Sequence, residues 1–322
     1  MSTTQTGLRR RFQGRKPGRV AIETGTHSPW VEELLIALGH EVLVADARKI
    51  RLISSSQRKN DRRDAELLAR LARSDTKLLH PVRHRGTQVR RDLTVIRSRA
   101  VLVEARTKLV NHVRGTVKSL GHRLPSCSTR SFHRKVAGQL PPQLSAILAP
   151  VLEMIESLTE KIRAIEVRIE ELCEESYPET KLLRQVQGVG PLTALCFRLT
   201  IDEPKRFNDG RQVGAYLGLV PRRDQSGERD PELRITKAGD RMLRTLLIQC
   251  AHYVMGPFGQ DSDLRRFGLR LASRGGKNAK KRAVVAVARK LAVLLRALWV
   301  TGEVYEPLRN SSAPDPAISR GA

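Results

Sequence analysis

Apolar positions along this 322-residue chain follow different spacings in different stretches, and each spacing predicts its own kind of element. Near the N-terminus short apolar runs alternate with helical ones. Thr3 or Thr4 can cap a short helix carrying Leu8 and Phe12, before a basic turn at Arg15-Lys16-Pro17-Gly18-Arg19. Val20-Ala21-Ile22 reads as a buried strand ending in Glu23-Thr24-Gly25. Ser28-Pro29 opens a helix as N-cap plus proline, with Trp30, Leu34, Leu35 and Leu38 on its buried face. Gly39 closes it ahead of a second strand, Glu41–Ala45. Strand, helix, strand, helix predicts a parallel α/β layer, in which chemistry gathers at the carboxyl ends of strands. Glu23 sits at such an end. Alone it reads as a solvated or capping acid; beside other acids it is a candidate ligand.

The next helix starts at Asn60, a good N-cap, and buries Ala65, Leu67, Leu68, Leu71 and Ala72. Asp61 and Asp64 therefore share one side of its first turn, with Cβ atoms about 5–6 Å apart. Two such carboxylates repel, and the helix N-terminus offsets only part of the cost. A divalent cation held by oxygen ligands, such as magnesium, would offset the rest. The plainer reading is two first-turn acids with Lys59, Arg62 and Arg63 as solvated partners.

From Arg83 to Leu120 the pattern predicts a long basic helix with a weak apolar seam (Leu93, Ile96, Ala100, Val103, Val110, Val117). Residues 121–142 read as a Ser-, Pro- and basic-rich connector. Leu144, Leu148, Val151, Ile155, Leu158, Ile162, Ile165, Ile169 and Leu172 then recur at spacings of four and three, the a/d pattern of a coiled coil. The seam could meet the preceding helix, another subunit, or both. Tyr177-Pro178 ends it. The predicted domains are 1–82, 83–177 and 178–308, with a disordered tail over 309–322.

Lys and Arg outnumber Asp and Glu by 59 to 33, a formal net charge of +26, so polyanions and nucleic acid above all are the expected partners. Aromatic residues make up only 4 %, which favours grip on phosphates over base stacking. Four scattered cysteines without CxxC spacing (Cys127, Cys173, Cys196, Cys250) argue against zinc and disulfides and for reduced thiols of a cytoplasmic protein, and a nucleic-acid partner makes it an expected nucleoid-associated one. No membrane-length apolar run or secretion signal occurs, so no membrane partner is expected.

In the mainly helical C-terminal domain, Gly188-Val189-Gly190 between apolar helices resembles a helix-hairpin-helix, whose backbone amides meet a DNA phosphate; a tight helical corner is the alternative. Arg222, Arg223, Lys237 and Arg241 flank a polar, Gly-bounded loop that holds Ser226, either a turn residue or something more. Leu264 to Gly302 carries eleven basic residues and no acid. Its densest run includes Arg274, Lys277, Lys280, Lys281 and Arg282, a candidate phosphate-gripping arm leading into an apolar helix.

Three segments together resemble the bridge-RNA-guided DEDD transposases of the insertion-sequence family numbered one hundred and ten. They are Ala21-Ile22-Glu23-Thr24-Gly25, the block Lys59 to Ala65, and the run from Gly188-Val189-Gly190-Pro191 through Gly218-Leu219-Val220-Pro221 and Ser226-Gly227 to Lys237-Ala238-Gly239-Asp240-Arg241. The resemblance implies a RuvC-like, ribonuclease-H-type domain binding magnesium, a coiled coil, and a C-terminal domain with a nucleophilic serine. It places the family's second, third and fourth acids on Glu23, Asp61 and Asp64 and its serine on Ser226. Transposon ends, target DNA, a guide RNA and further copies of the chain become the expected partners. No acid precedes Glu23, so the RuvC-like domain is expected to be partial, its first Asp and opening strands missing.

The activity so implied is cutting and rejoining DNA through a phosphoserine. The alternatives are a non-catalytic nucleic-acid-binding remnant and a RuvC-like junction nuclease that cuts with water.

Overall fold

The computed structural model describes residues 3–46, 49–50, 60–227, 229–231 and 233–310. Lys59 and residues 311–322 of the expected tail lie outside them. The chain divides into two compact units, residues 1–86 and 87–322.

In the first unit β1 (Arg19–Glu23) and β2 (Glu41–Ala45) pair in parallel, with Arg19 opposite Glu41 and Glu23 opposite Ala45. Period-two alternation assigns their side chains to two faces. Val20, Ile22 and Val42 pack against α1 (Gln5–Phe12) and α2 (Ser28–Ala37), through Leu8, Val31, Leu34 and Leu35. Ala21, Leu43 and Ala45 pack on the other side against α3 (Asp61–Ser74), through Leu68 and Ala72. The result is a three-layer α/β/α arrangement. Both predicted caps form: Thr4 Oγ1 accepts from Gly7 N at 3.1 Å and Asn60 Oδ1 from Arg62 N at 2.9 Å. Two local readings need correction. Ala65 is exposed, because the buried stripe of α3 is centred on Leu68 and Ala72. Ser28 is the first helical residue rather than the cap, and its hydroxyl bonds the turn behind it.

The second unit is helical. α4 (Thr87–Ser119) and α6 (Pro142–Glu171) run antiparallel as a hairpin within the chain. Arg99 meets Glu166 at 2.6 Å, and seven residues on Arg106 donates to Thr159 at 3.2 Å, seven residues back. Leu144, Leu148, Ile155, Leu158, Ile162, Ile169 and Leu172 of the predicted seam are buried, while Val151 and Ile165 are half-buried. The connector is more than a linker. Its short helix α5 (Phe132–Val136) inserts Phe132 and Val136, both fully buried, against Val113, Val117 and Leu148. The remaining helices are α7 (Thr180–Leu183), α8 (Pro191–Ile201), α9 (Arg211–Tyr216), α10 (Arg241–Met255), α11 (Asp263–Ser273) and α12 (Ala279–Thr301). They enclose the main core around α8, and Leu93 and Ile96 of α4 join it. Arg309 and Asn310, expected to start the disordered tail, are bonded to Glu303 and Asp263 at 2.8 Å each.

Candidate catalytic sites

In the first unit, Glu23 is the last residue of β1, and its parity with Ala21 puts it on the face that α3 covers. The direction of α3 follows from one bond: Arg19 Nη1, at the start of β1, donates to Ala72 O at 3.3 Å, near the helix end. Four residue steps along β1 cover roughly 13 Å, which is about nine residues of helix. Counting back from Ala72 reaches the first turn, where Asp61 and Asp64 sit. The three acids thus share one face and one edge, the carboxyl edge of the sheet. Glu23 and Asp61 are exposed and Asp64 half-buried. They do not close around a point: among the described residues no three His, Cys, Asp or Glu side chains form a metal-binding group. The donor set of carboxylate oxygens fits a hard divalent cation.

The turn that follows Glu23 is braced. Ser28 Oγ accepts from Gly25 N at 3.0 Å and lies 2.9 Å from both Gly25 O and His84 Nε2. His84 Nδ1 stands 2.5 Å from Glu32 Oε2, and since a carboxylate only accepts, Nδ1–H is the donor. The connectivity is that of a serine–histidine–carboxylate relay. Ser28 is only 5 % exposed, however, and Gly25 occupies its hydroxyl, so the relay holds the turn in place and offers no accessible nucleophile.

In the second unit Ser226 lies at the tip of a β-hairpin. Its N–H donates to Arg229 O at 3.0 Å and Arg229 N–H returns a bond to Ser226 O at 3.1 Å. Gly227, next to Ser226, has φ +57°, a left-handed backbone that favours glycine. Arg222 N to Arg234 O and Thr236 N to Val220 O, both 2.9 Å, pair the limbs again at the base, around the Pro221–Ile235 bridge. Residues 221–227 are all exposed, including Ser226, Arg222 and Arg223. Arg223 pairs with Asp230 at 3.5 Å on the surface, so the hairpin mixes both charge signs.

At its base the two limbs cross at closest range. Lys237 N donates to Gly218 O at 3.1 Å, and a Cβ on Gly218 would stand 2.3 Å from Ala238 backbone atoms. A Cβ on Gly239 would meet Tyr216 O at 2.0 Å. Only glycine fits either place. Lys237 itself holds a left-handed φ of +55°, and Asp240 caps α10 by accepting from Leu243 N at 2.8 Å. Lys237 and Arg241 are exposed beside this crossing. Beneath it, Arg244 Nη1 donates to Leu217 O at 2.9 Å and Ala238 O at 2.7 Å, one carbonyl from each limb. Its burial pulls its pKa below the usual arginine value, with Asp240 opposing that shift. Sequence reasoning passed over Arg244. The signal available was its place one turn after the Asp240 cap.

The Gly188-Val189-Gly190 turn leads into α8 from the single helical turn α7, not from a full preceding helix. Gly188 has φ +88° and a Cβ there would touch the Tyr253 ring at 2.9 Å. Gly190 is exposed, and both glycines line an open groove of 470 Å³ with Arg184, Thr193 and Gln249. In the basic arm Arg274, Lys277, Lys280, Lys281 and Arg282 are all exposed. Other cations of that stretch are structural. Arg266 is buried against Asp261 at 2.6 Å, and Arg296 donates to Pro204 O at 3.0 Å.

A model for DEDD transposases of the IS110 type matches residues 3–121, and one described as the transposase IS116/IS110/IS902 family matches residues 180–265. A Pseudomonas aeruginosa protein, "Probable family 20 transposase", is 31 % identical over 307 residues, spanning 92 % of this chain and 88 % of its own length. The chain belongs to the IS110 family of DEDD transposases. The "Transposase for insertion sequence element IS1111A" of Coxiella burnetii is 29 % identical over 254 residues, 77 % of this chain and 68 % of that protein. The "Transposase for insertion sequence element IS1328" of Yersinia enterocolitica is 28 % identical over 242 residues, covering 74 % and 71 %. DNA is thus the substrate class, and the DEDD family implies dependence on a divalent metal. The two matches cover the acids and the serine hairpin respectively. No helix among the described residues is long and apolar enough to cross a membrane.

Proposed function

We propose that this transposase cuts and rejoins DNA strands through Ser226, with Glu23, Asp61 and Asp64 as its metal-binding acids and a guide RNA bound on its basic surface. The observation that carries the reading is the placement of Ser226 at the exposed tip of a hairpin whose base is held by two obligatory glycines. In the reaction Ser226 Oγ bonds to phosphorus, its proton passes to solvent, and the sugar oxygen of the cut strand leaves and takes up a proton. The phosphoserine ester keeps the phosphodiester energy, so a second strand's hydroxyl can displace Ser226 without a nucleotide cofactor. Magnesium, held by Glu23, Asp61 and Asp64, would stabilise the charge developing on the phosphate and help activate the hydroxyl. The shared edge of the three acids supports that donor set. The charge of +26 supports RNA and DNA binding together. Association of copies belongs to the same reading, supported by exposed Ile147 and Met154 one heptad apart on α6.

The deciding experiment is capture of a covalent protein–DNA adduct on transposon-end DNA with magnesium and the neighbouring RNA. Ser226→Ala abolishes the adduct and leaves nucleic-acid binding within about twofold, since a lone surface hydroxyl contributes little to phosphate-dominated affinity. An alanine variant that still joins strands removes Ser226 from the mechanism.

A further inference from the structure

We infer that Arg244 is a positioning residue for Ser226. The inference rests on the reading of Ser226 as the attacking group. Above its base the hairpin projects into solvent: residues 221–227 are all exposed, and Pro221, Arg222, Arg223 and Ser226 contact the opposite limb. The direction of its tip is therefore set where the limbs enter the helical body. Leu217 and Leu219 are buried there on one limb, at 0 % and 2 % exposure. The other limb, Thr236 to Gly239, is exposed and has no buried side chain of its own. Backbone bonds from Thr236 N and Lys237 N join it to the other limb. The side chain that ties both limbs to the helical body is Arg244, only 8 % exposed, donating from a single nitrogen to Leu217 O and Ala238 O.

The guanidinium stands on α10, whose N-cap Asp240 directly follows the returning limb. One side chain so joins outgoing limb, returning limb and helix. A buried cation with carbonyl partners is a costly stabilising device, since burial disfavours the charge it relies on. An apolar side chain would fill the space but take away the donor of both carbonyls and leave the limbs joined by backbone bonds alone. Catalysis by a nucleophile on a projecting loop needs its atom placed to within about an ångström, and a misplacement of that size costs on the order of 100-fold in rate.

The test measures position separately from chemistry. Spin labels are placed at Ser226→Cys and Gln249→Cys, an exposed site on α10, with the half-buried Cys127 replaced by Ser. Pulsed electron resonance then gives the distance distribution. We expect one narrow distribution with Arg244 and with Arg244→Lys, whose ammonium can still donate to both carbonyls, and a broad one with Arg244→Gln. In chains that keep Ser226, adduct formation by Arg244→Gln falls by tenfold or more at unchanged DNA affinity, and Arg244→Lys recovers much of it. Gly239→Ala opens the base from the other side and gives the same broadening. An unbroadened distribution in Arg244→Gln overturns the inference. So does loss of the whole fold in both variants, because Arg244 would then support the helical body. Failure of the Ser226 reading looks different: Ser226→Ala would still form adducts, while the distance distributions would respond to Arg244 as described.

Discussion

Tyr177 Oη donates to Asp92 Oδ2 at 2.6 Å, across 85 residues of sequence, with both side chains at most 6 % exposed. The bond ties the turn that follows α6 to the start of α4, and Arg198 lies over the same ring at 5.1 Å. Burial first, then the hydrogen bond and charge of Asp92, push the Tyr177 phenol well above its ordinary value. In the unfolded chain the phenol ionises at about 10. Its contribution to stability is therefore complete below that pH and is lost as pH rises through the higher folded value. Tyr177→Phe should destabilise the protein at pH 8 by about 1–3 kcal/mol, because a buried carboxylate loses a donor. It should also flatten the decline in stability above pH 10. Urea midpoints of both proteins at pH 8 and pH 10.5 check this, and parallel pH profiles would show that the phenol does not titrate on unfolding.

The helical hairpin makes a second demand. Ile155 and Ile162 are 0 % and 2 % exposed in the seam against α4. Replacing both with Asp buries two charges with no partner, at several kcal/mol each. Because the seam closes within one chain, we expect the double variant to lose its cooperative melt whatever its oligomeric mass. Retention of the wild-type melting temperature would mean the seam opens freely.

The sequence carried the first unit well, since each of its signals is local. Thr4 and Asn60 cap the helices they precede, and alternation at Val20–Ile22 and Val42–Val44 serves a sheet covered on both sides. The heptad seam was equally legible as a seam. Its partner was not, because a/d spacing says which face is buried and nothing about what buries it. Phe132 is the sharper case: one aromatic in a polar stretch has no periodicity, yet it fills the hairpin's core and takes Arg114 over its ring at 5.0 Å. Ser28, His84 and Glu32 meet only through the folded chain, as do Arg244 and the carbonyls of Leu217 and Ala238. The hairpin around Ser226 read as a plain loop because its limbs pair through isolated bridges and the stretch 221–227 is exposed, with no alternation to mark a strand.

The carboxylates at the edge of the first unit make a third prediction. Asp61→Asn and Asp64→Asn keep the volume and remove a charge, and Asn60 still caps the helix. Each should suppress magnesium-dependent adduct formation by two orders of magnitude or so, in line with removal of an electrostatic stabiliser. Each should also weaken any rise in melting temperature on adding magnesium. Unaltered metal response in both variants would remove these acids from the donor set.

The basic residues divide into those that grip and those that hold the fold, and salt dependence separates the two. Lys277, Lys280 and Lys281 are exposed at the entry to α12. Each phosphate neutralised by such a side chain releases condensed counterions, and on duplex DNA contributes roughly 0.9 to the slope of log affinity against log salt. Alanine at all three should lower that slope by up to about 2.7 and weaken binding to every sequence alike. Arg266 is the control. It is 5 % exposed and bonded to Asp261 through Nε at 2.9 Å and Nη2 at 2.6 Å, a contact that also holds the Asp261 carboxyl below the usual carboxylate range. Arg266→Ala removes the same formal charge as one of the lysines, but from the interior. It should lower the melting temperature and leave the salt slope unchanged. Binding measured from 50 to 200 mM salt, on the triple lysine variant and on Arg266→Ala, decides it. A slope that tracks net charge alone, falling equally per charge in both, would mean the arm makes no particular contact with phosphate.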